Sequence, residues 1–375
     1  MRALHGDGVD ERTAQGPAPA QDEARDGGRP GPRDSSMDPS MPGRRRACAA
    51  LGAAVLGAGL LAALAPHPAA FAQPAARPVT VRIGHFPNIT HVQALVARGL
   101  SRKGEGWFER HLGPGVTIEW FIYNAGPSAM EAIFAESIDL TYVGPSPAIN
   151  AYAKARGEDI RIIAGAAEGG AALVVQPDAG LRAPADFRGK KIATPQLGNT
   201  QDVAARAWLA AGGLRVTLTG GDAQVIPTAN PDQLALFQRK QLDAVWTVEP
   251  WVTRLEAEAG GAVLVEETEA VTTVLATGAK FLRDRRDLAR RVVAAHEELT
   301  AWIKANPEEA QAIVRDELAA QTRTEVKAEL IARAWGRIVL TPYVSRQALE
   351  SFVAKARDAG FLRTAPDLSR LIERP

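Results

Sequence analysis

The sequence VTVRIGHFPNITHVQ, residues 79–93, joins two hydrophobic periods. Apolar residues first alternate with polar or small ones, at Val79, Val81 and Ile83, which predicts a strand. They then recur at helical spacing from Val92 to Leu100, which predicts a helix. Open α/β sheets bind small molecules at such junctions, because unpaired backbone N–H groups and the helix dipole point there. The polar residues between the two periods therefore predict a ligand-binding loop.

The rest of the chain alternates between predicted strands and helices, which favours an α/β fold with parallel sheets. Before Gly169-Gly170, strands are predicted at 116–123, 138–143 and 160–164, and helices at 128–136 and 146–156. A second unit has strands at 172–176, 191–194, 224–227 and 243–247, and helices at 200–211 and 231–239. After Gly260-Gly261, a strand at 271–276 is followed by predicted helices only, at 284–305, 307–320, 324–336 and 345–360 and at the C-terminus.

This order predicts two α/β lobes. Residues 73–169 and 263–375 are expected to form the first lobe, and residues 170–262 the second. The two glycine pairs mark the predicted crossovers, which would act as a hinge for closure around a ligand.

Residues 1–72 have the features of a disordered leader followed by a signal peptide. Three arginines, 44–46, precede an uncharged run, and Ala70-Phe71-Ala72 matches a cleavage site before Gln73. Signal peptides begin close to the initiator methionine, so Met37 or Met41 is the expected start. A retained membrane anchor is the alternative, but the run is mostly Ala and Gly, which favours cleavage. The sequence thus predicts a periplasmic protein.

Composition excludes several classes of function. Lys and Arg number 44 and Asp and Glu 43, so neither nucleic acid nor an anionic membrane surface is an expected partner. The single cysteine, Cys48, lies in the leader, so no disulfide or thiol chemistry is expected in the mature chain. No metal-binding, cofactor-binding or catalytic motif is recognised, and we expect neither a metal, a cofactor nor catalysis.

Three further junctions repeat the pattern of strand, uncharged polar loop and helix, at residues 124–128, 144–146 and 195–201. Each carries Ser or Thr where a helix cap belongs, so ordinary capping is one interpretation. A shared site for an anion or polar ligand is the other, since backbone donors and hydroxyls can hold an oxyanion without a salt bridge. A fifth segment, 246–251, holds two tryptophans that could form a pocket wall or belong to the core.

Several stretches resemble one known family in order and spacing. They are FPNITHVQALV, NAGPSAMEAI, VGPSPAINAY, AGAAEGGAALVV, DFRGKKIATPQLGNTQDVA, ANPDQLALFQ and EPW. They resemble the substrate-binding proteins of ABC importers for nitrate, sulfonates and taurine. The resemblance implies a two-lobed type II periplasmic binding protein fold. It also implies a monomer that closes over a small anion and delivers it to a membrane permease with its ATPase.

The resemblance also implies which residues contact the ligand. They are Asn88, His91, Gln93, Ser128, Ser146, Gly198, Asn199, Thr200, Gln201, Trp246 and Glu249. The motifs expected to line the cleft contain no obvious Lys or Arg to balance a small bare anion, while two tryptophans suit an apolar tail, so an aliphatic sulfonate is favoured. Nitrate, bicarbonate, taurine and related oxyanions remain alternatives.

Two other classes of function compete. Thiamine-pyrimidine synthases share this fold, but their cysteine-rich motif is missing from the mature chain, which favours a binding protein over an enzyme. A ligand-sensing module would bind the same anion without transporting it, and gene context would separate the two.

We predict that the native purified protein begins at or near Gln73, because the leader matches a cleaved signal peptide. Intact-mass measurement after expression with export checks this. Retention of residues 1–72 would contradict it.

Overall fold

The computed structural model describes residues 78–375. The strands are β1 (Val79–His85), β2 (Val116–Ile122), β3 (Leu140–Val143), β4 (Ile160–Gly169), β5 (Ala171–Val175), β6 (Lys191–Thr194), β7 (Val216–Thr217), β8 (Gly220–Gly221), β9 (Gln224–Pro227), β10 (Ala244–Val248), β11 (Ala262–Glu267), β12 (Val271–Gly278) and β13 (Ile338–Leu340). The α-helices are α1 (Val92–Arg102), α2 (Trp107–Leu112), α3 (Gly126–Phe134), α4 (Pro145–Lys154), α5 (Thr200–Ala211), α6 (Asn230–Gln238), α7 (Trp251–Ala259), α8 (Ala279–Asp284), α9 (Arg286–Ala305), α10 (Pro307–Thr322), α11 (Ala328–Trp335) and α12 (Arg346–Asp358). Short 3₁₀ turns cover Ile89–His91 and Pro184–Phe187.

Two mixed sheets form the centres of two lobes. The first has the order β13-β4-β12-β3-β1-β2 and the second β11-β5-β10-β6-β9. β1 runs parallel to β2 and β3, and β6 runs parallel to β9 and β10, as the alternation predicts. β12 and β5 run antiparallel to their neighbours, so the expectation of purely parallel sheets is corrected. These two strands come directly from the other lobe instead of through a crossover helix, so they need not run parallel to their neighbours.

The crossovers differ in part from the predicted ones. The first passes through Gly170, whose φ of +72° is a conformation that glycine adopts readily. The second lies at residues 268–270, because β11 still pairs with β5 in the second sheet. Gly260 ends α7 in the left-handed conformation and is a helix cap, not a hinge. The second lobe therefore extends to Glu267 instead of residue 262.

The C-terminal region also corrects the expectation of helices only. The three-residue strand β13 pairs with β4 and forms one edge of the first sheet, and a single bridge joins Ile162 to Ile372 where a terminal helix was expected. A three-residue strand is too short to show a period of two.

Both faces of the first sheet are covered by helices. Buried residues of α1, α2, α9 and α10 pack on one face, and those of α3, α4 and α12 pack on the other. Val203, from α5 in the second lobe, joins the second of these clusters. No helix within residues 78–375 is long and apolar enough to cross a membrane.

Glu249 connects the lobes at the base of the cleft. Its backbone N–H donates to Gly170 O at 2.8 Å, and its carbonyl accepts from Ile89 N at 2.9 Å. Its carboxylate is fully buried and accepts from Thr253 N at 3.1 Å and from Arg337 Nη1 at 3.0 Å. Burial raises the pKa of Glu249, and the Arg337 guanidinium opposes that rise.

Arg337 belongs to the first lobe, and its partners belong to the second. Besides Glu249, it bonds Glu256 at 2.8 Å and Glu266 at 3.1 Å. One guanidinium therefore holds three carboxylates across the lobe boundary.

We predict that Arg337→Met lowers the free energy of unfolding by about 3 kcal/mol at pH 8, because it leaves Glu249 buried without a counter-charge. Without Arg337, the folded-state pKa of Glu249 lies further above its unfolded value. The penalty should therefore be present above that folded-state pKa and shrink as the pH falls through it. Thermal unfolding at pH 8 and pH 5 measures both effects.

Arg333→Met is the matched control. Arg333 pairs with Glu256 at 3.0 Å, and its side chain is 51% exposed, so its loss should cost less than about 1 kcal/mol at either pH. Equal penalties for Arg337→Met at the two pH values would contradict the role of Glu249.

Candidate functional site

A small cavity of about 20 Å³ lies in the cleft between the lobes. That volume is close to the minimum, about 10–15 Å³, that holds one water molecule. The lining residues from the first lobe are Phe86, Asn88, Thr90, His91, Asn124, Ala125, Gly126, Gly144, Pro147 and Thr272, and those from the second lobe are Pro195, Asn199, Thr200, Gln201 and Val248. None of these residues is an Asp, Glu, Lys or Arg.

Three helices begin at the cavity. Their N-terminal caps are Ala125 for α3, Gly144 for α4 and Asn199 for α5, and all three caps line it. First-turn N–H groups have no partner within their own helix, and the helix dipole is positive at that end. The cavity is therefore electropositive although it contains no basic side chain, which suits an anion.

Hydrogen bonds of Asn199 and Asp202 fix the start of α5 at the cavity. Asn199 Oδ1 accepts from Asp202 N at 2.8 Å, which fixes the first turn. The Asp202 carboxylate accepts from Gly198 N and Thr194 Oγ1, each at 2.9 Å, and pairs with Arg206 Nε at 3.1 Å. Both charges are buried and paired behind the helix start, so Asp202 does not present its charge to the cavity.

Two buried polar atoms of the cavity lining have no hydrogen-bond partner within residues 78–375. They are His91 Nδ1 and Thr200 Oγ1. Burial lowers the pKa of His91 well below its usual value, so its imidazole is neutral at physiological pH. An unpartnered buried polar atom is costly, and a ligand that bonds both atoms would remove that cost.

The lobes touch across the cleft. Asn124 Nδ2 donates to Pro195 O at 3.1 Å, and Ser128 Oγ bonds Gln196 Oε1 at 3.1 Å. A Cβ placed on Gly144 would overlap with Thr200 Oγ1. The structure is thus a closed arrangement of the two lobes.

Of the residues predicted to contact the ligand, five line the cavity. They are Asn88, His91, Asn199, Thr200 and Gln201. Ser128 bonds Gln196 outside the lining. Ser146 is buried in the first turn of α4, two residues after Gly144, and its Oγ has no partner within residues 78–375. Gly198 N donates to the Asp202 carboxylate.

The other three also lie outside the lining of the cavity. Gln93 Nε2 donates to Ala166 O at 2.9 Å inside the first lobe. Trp246 is 2% exposed and packs in the second-lobe core, with Nε1 bonded to Glu267 at 3.3 Å. Glu249 is the interlobe carboxylate described above. The core interpretation of Trp246 is therefore the one that the structure supports.

Sequence reasoning also missed lining residues. Phe86 and Thr90 flank the predicted first loop, and Val248 and Thr272 come from strands on either side of the lobe boundary. Asn124 lies in the junction at residues 124–128 that was recognised from the sequence, but it was not predicted to contact the ligand. Apolar strand residues such as Val248 carry no sequence signal for a site, because an apolar residue at a strand end is ordinary core composition.

Comparison with known proteins identifies the family. A model of the NMT1-like family matches residues 74–318, more than half of the chain. The chain belongs to the NMT1-like family. Helix α11, strand β13 and helix α12 lie beyond the matched region.

The relatives of this NMT1-like protein include binding proteins with named ligands. The putative aliphatic sulfonates-binding protein of Bacillus subtilis is 26% identical over 234 residues, covering 60% of this chain and 68% of the relative. The alkanesulfonate-binding protein SsuA of Xanthomonas axonopodis pv. citri, solved with MOPS, has a TM-score of 0.62 at 21% identity, covering 80% of this chain and all of that one. The periplasmic nitrate-binding protein NrtA of Synechocystis PCC 6803 has a TM-score of 0.62 at 15% identity, with coverages of 78% and 86%. The chain has the two-lobed fold of periplasmic binding proteins, which confirms the predicted fold class.

We predict that Gly144→Ala prevents this closed approach of the lobes, because its methyl group would meet Thr200 Oγ1. The backbone of Gly144, with φ −66° and ψ 153°, accommodates alanine without strain. Affinity for a cleft anion should fall by about tenfold or more, since overpacking costs roughly 1–3 kcal/mol. Calorimetric titration with small-angle scattering measures the affinity and the closure.

Gly278→Ala is the matched control. Gly278 has similar angles, φ −76° and ψ 143°, and its added Cβ would lie 3.6 Å from the nearest atom. A Gly144→Ala protein that binds and compacts like the Gly278→Ala protein would show that closure does not bring these residues together.

Proposed function

We propose that this protein is the periplasmic solute-binding component of an ABC importer, that it binds a small organic anion and that it passes the anion to a membrane permease. The supporting observation is the uncharged cavity on which the start of three helices converges. It offers N–H groups, the Thr200 hydroxyl and neutral His91 in place of a counter-charge.

The absence of a counter-charge in this lining suits a transport protein. A neutral hydrogen bond contributes about 1 kcal/mol net, and a bond to a charged group about 1.5–3 kcal/mol. Several neutral donors together hold an anion firmly, while opening of the lobes removes all the contacts that one lobe supplies at once. Capture and release can therefore both occur.

A short aliphatic sulfonate is our favoured ligand. Relatives that are named for sulfonates support this choice. The apolar surface for the tail is not supplied by the tryptophans that the sequence suggested, but Phe86, Pro147 and Val248 lie beside the helix starts. A sulfonate head at the helix starts and a tail of one or two carbons against these residues would match the chemistry of the lining, and the cavity would widen from about 20 Å³ to admit them.

The same lining argues against taurine. Taurine carries an ammonium group, and no carboxylate lines the cavity in the part of the chain that the structure describes. Burying that ammonium group without a partner would cost several kcal/mol. Nitrate is the second candidate, because a cavity of about 20 Å³ suits an anion of few atoms.

We predict that ethanesulfonate binds more tightly than taurine, and that sulfate, a dianion, binds weakly or not at all. Thermal shift followed by calorimetric titration with ethanesulfonate, nitrate, taurine and sulfate tests the ranking. At a hundred times its dissociation constant, a ligand adds about 2.7 kcal/mol to the free energy of unfolding. Nitrate binding above ethanesulfonate would select the second candidate, and binding of none of the four would contradict the proposal.

The variant Thr200→Val tests whether the ligand binds in this cavity. It keeps the side-chain volume and removes the unpartnered hydroxyl, so ethanesulfonate affinity should fall by roughly three- to tenfold. Thr217→Val is the control, since Thr217 is exposed in the second lobe and its hydroxyl donates to Gly220 O at 3.0 Å. Equal affinities of the two variants would locate the site elsewhere.

A further inference from the structure

A second, larger cavity lies behind the cleft. Its volume is about 480 Å³, which falls in the range of about 300–1,000 Å³ typical of small-molecule sites. Helix α7 of the second lobe contributes Trp251, Arg254 and Ala257 to its wall. Helices α10 and α11 of the first lobe contribute Leu318 and Leu330. We call it the rear cavity.

Two chain segments separate the rear cavity from the cleft. In the first, Phe86 and Asn88 line the cleft while Pro87 lines the rear cavity. In the second, Val248 lines the cleft while Pro250 lines the rear cavity. The backbone of these segments is bonded to the first crossover through the Ile89, Glu249 and Gly170 hydrogen bonds. The two cavities therefore lie on opposite sides of the hinge.

Because of this position, the volume of the cleft cavity and the volume of the rear cavity depend on each other. Rotation about a hinge that brings the front surfaces of two lobes together moves their rear surfaces apart. The structure shows that combination, a cleft cavity of about 20 Å³ and a rear cavity of about 480 Å³. A molecule that fills the rear cavity would oppose reopening of the cleft.

The wall of the rear cavity indicates the chemistry of its ligand. Pro87, Trp251, Val326 and Leu330 supply apolar surface. The charged residues balance, with Arg254, Lys327 and Arg333 against Glu258, Glu325 and Glu329. Arg254 pairs with Glu258 at 2.7 Å and lies 4.9 Å from the Trp251 ring centre, so it is already engaged. The wall thus suits an uncharged molecule with a flat apolar body, in contrast to the anion expected in the cleft.

One side-chain contact joins the two cavities directly. Trp251 Nε1 donates to Asn88 Oδ1 at 3.1 Å, and both residues are buried. The indole wall of the rear cavity therefore sets the orientation of an amide that lines the cleft.

We propose that the rear cavity is an effector site for an uncharged, ring-containing molecule, and that its occupancy increases the affinity of the cleft for its anion. The ligand stabilises the closed arrangement, and by linkage the anion and the effector strengthen each other's binding. The coupling rests on the anion site proposed above, whereas the binding of the effector does not.

Indole serves as the probe for binding. In saturation-transfer NMR with the full chain, indole should bind the wild type and lose its signal in Ala257→Phe, whose ring enters the rear cavity. Ala320→Phe, on an exposed position of α10 outside the lining, should bind indole like the wild type. No indole signal with the wild type, or an equal signal with Ala257→Phe, would overturn the site.

Calorimetric titration with ethanesulfonate tests the coupling. Saturating indole should tighten ethanesulfonate binding about fivefold, the low end of typical coupling, in the wild type and Ala320→Phe. Ala257→Phe should show no response to indole. Unchanged affinity in the wild type would overturn the coupling.

Small-angle scattering without any anion separates failure of this inference from failure of the proposed function. If ethanesulfonate does not bind at all, indole should still shift the protein to a smaller radius of gyration, because it favours the closed lobes. An unchanged radius at saturating indole would overturn the link between the rear cavity and closure.

Discussion

The fully buried Glu249 carboxylate is the contact on which the two-lobed arrangement depends. Its backbone joins the first crossover to the loop that begins the cleft, and its side chain joins α7 to Arg337. A carboxylate in this position would be costly if it were unpaired, because burial disfavours its charged form. The donors of Thr253 offset part of that cost within the second lobe, and the Arg337 guanidinium offsets more of it only while both lobes hold their positions. The interlobe geometry and the ionisation of one residue are therefore linked.

The cleft itself follows a different electrostatic rule. Its positive potential comes from peptide dipoles at three helix starts, while Asp202, the acidic residue in the first turn of α5, is paired with Arg206. An unpaired Asp202 in the first turn of α5 would offset part of the helix dipole and repel an anion. Arg206 therefore supports the site without lining it. The same pair also holds the loop through Gly198 and Thr194, so the stability of the loop and the shape of the candidate site depend on one buried network.

The helices and strands that form the candidate site could largely be predicted from local sequence. The roles of individual side chains depend on residues far away in the chain. Helix α5 begins and ends as predicted, because an uncharged loop and a helical period coincide there. The expectation of a Ser or Thr at the cap position was wrong at all three junctions, since the caps are Ala125, Gly144 and Asn199. The roles of Trp246 and Glu249 were not predictable, because each is decided by a residue far along the chain. Glu267 accepts from Trp246, and Arg337 pairs with Glu249. The second crossover was misplaced for a related reason. A glycine pair signals a turn, whereas only pairing with β5 shows that β11 remains in the second lobe.

The C-terminal helix extends the control of closure beyond the hinge. Helix α12 contacts α4 of the first lobe and α5 of the second, the two helices whose starts meet at Gly144 and Thr200. Val203 of α5 shares an apolar cluster with Leu349 and Phe352 of α12. This contact is apolar and non-directional, so it draws the two lobes together without fixing the angle between them. The ion pairs of Arg337 are directional and do fix that angle. Because α12 lies outside the part of the chain that matches the NMT1-like family, this contribution to closure comes from a segment that the family model does not include.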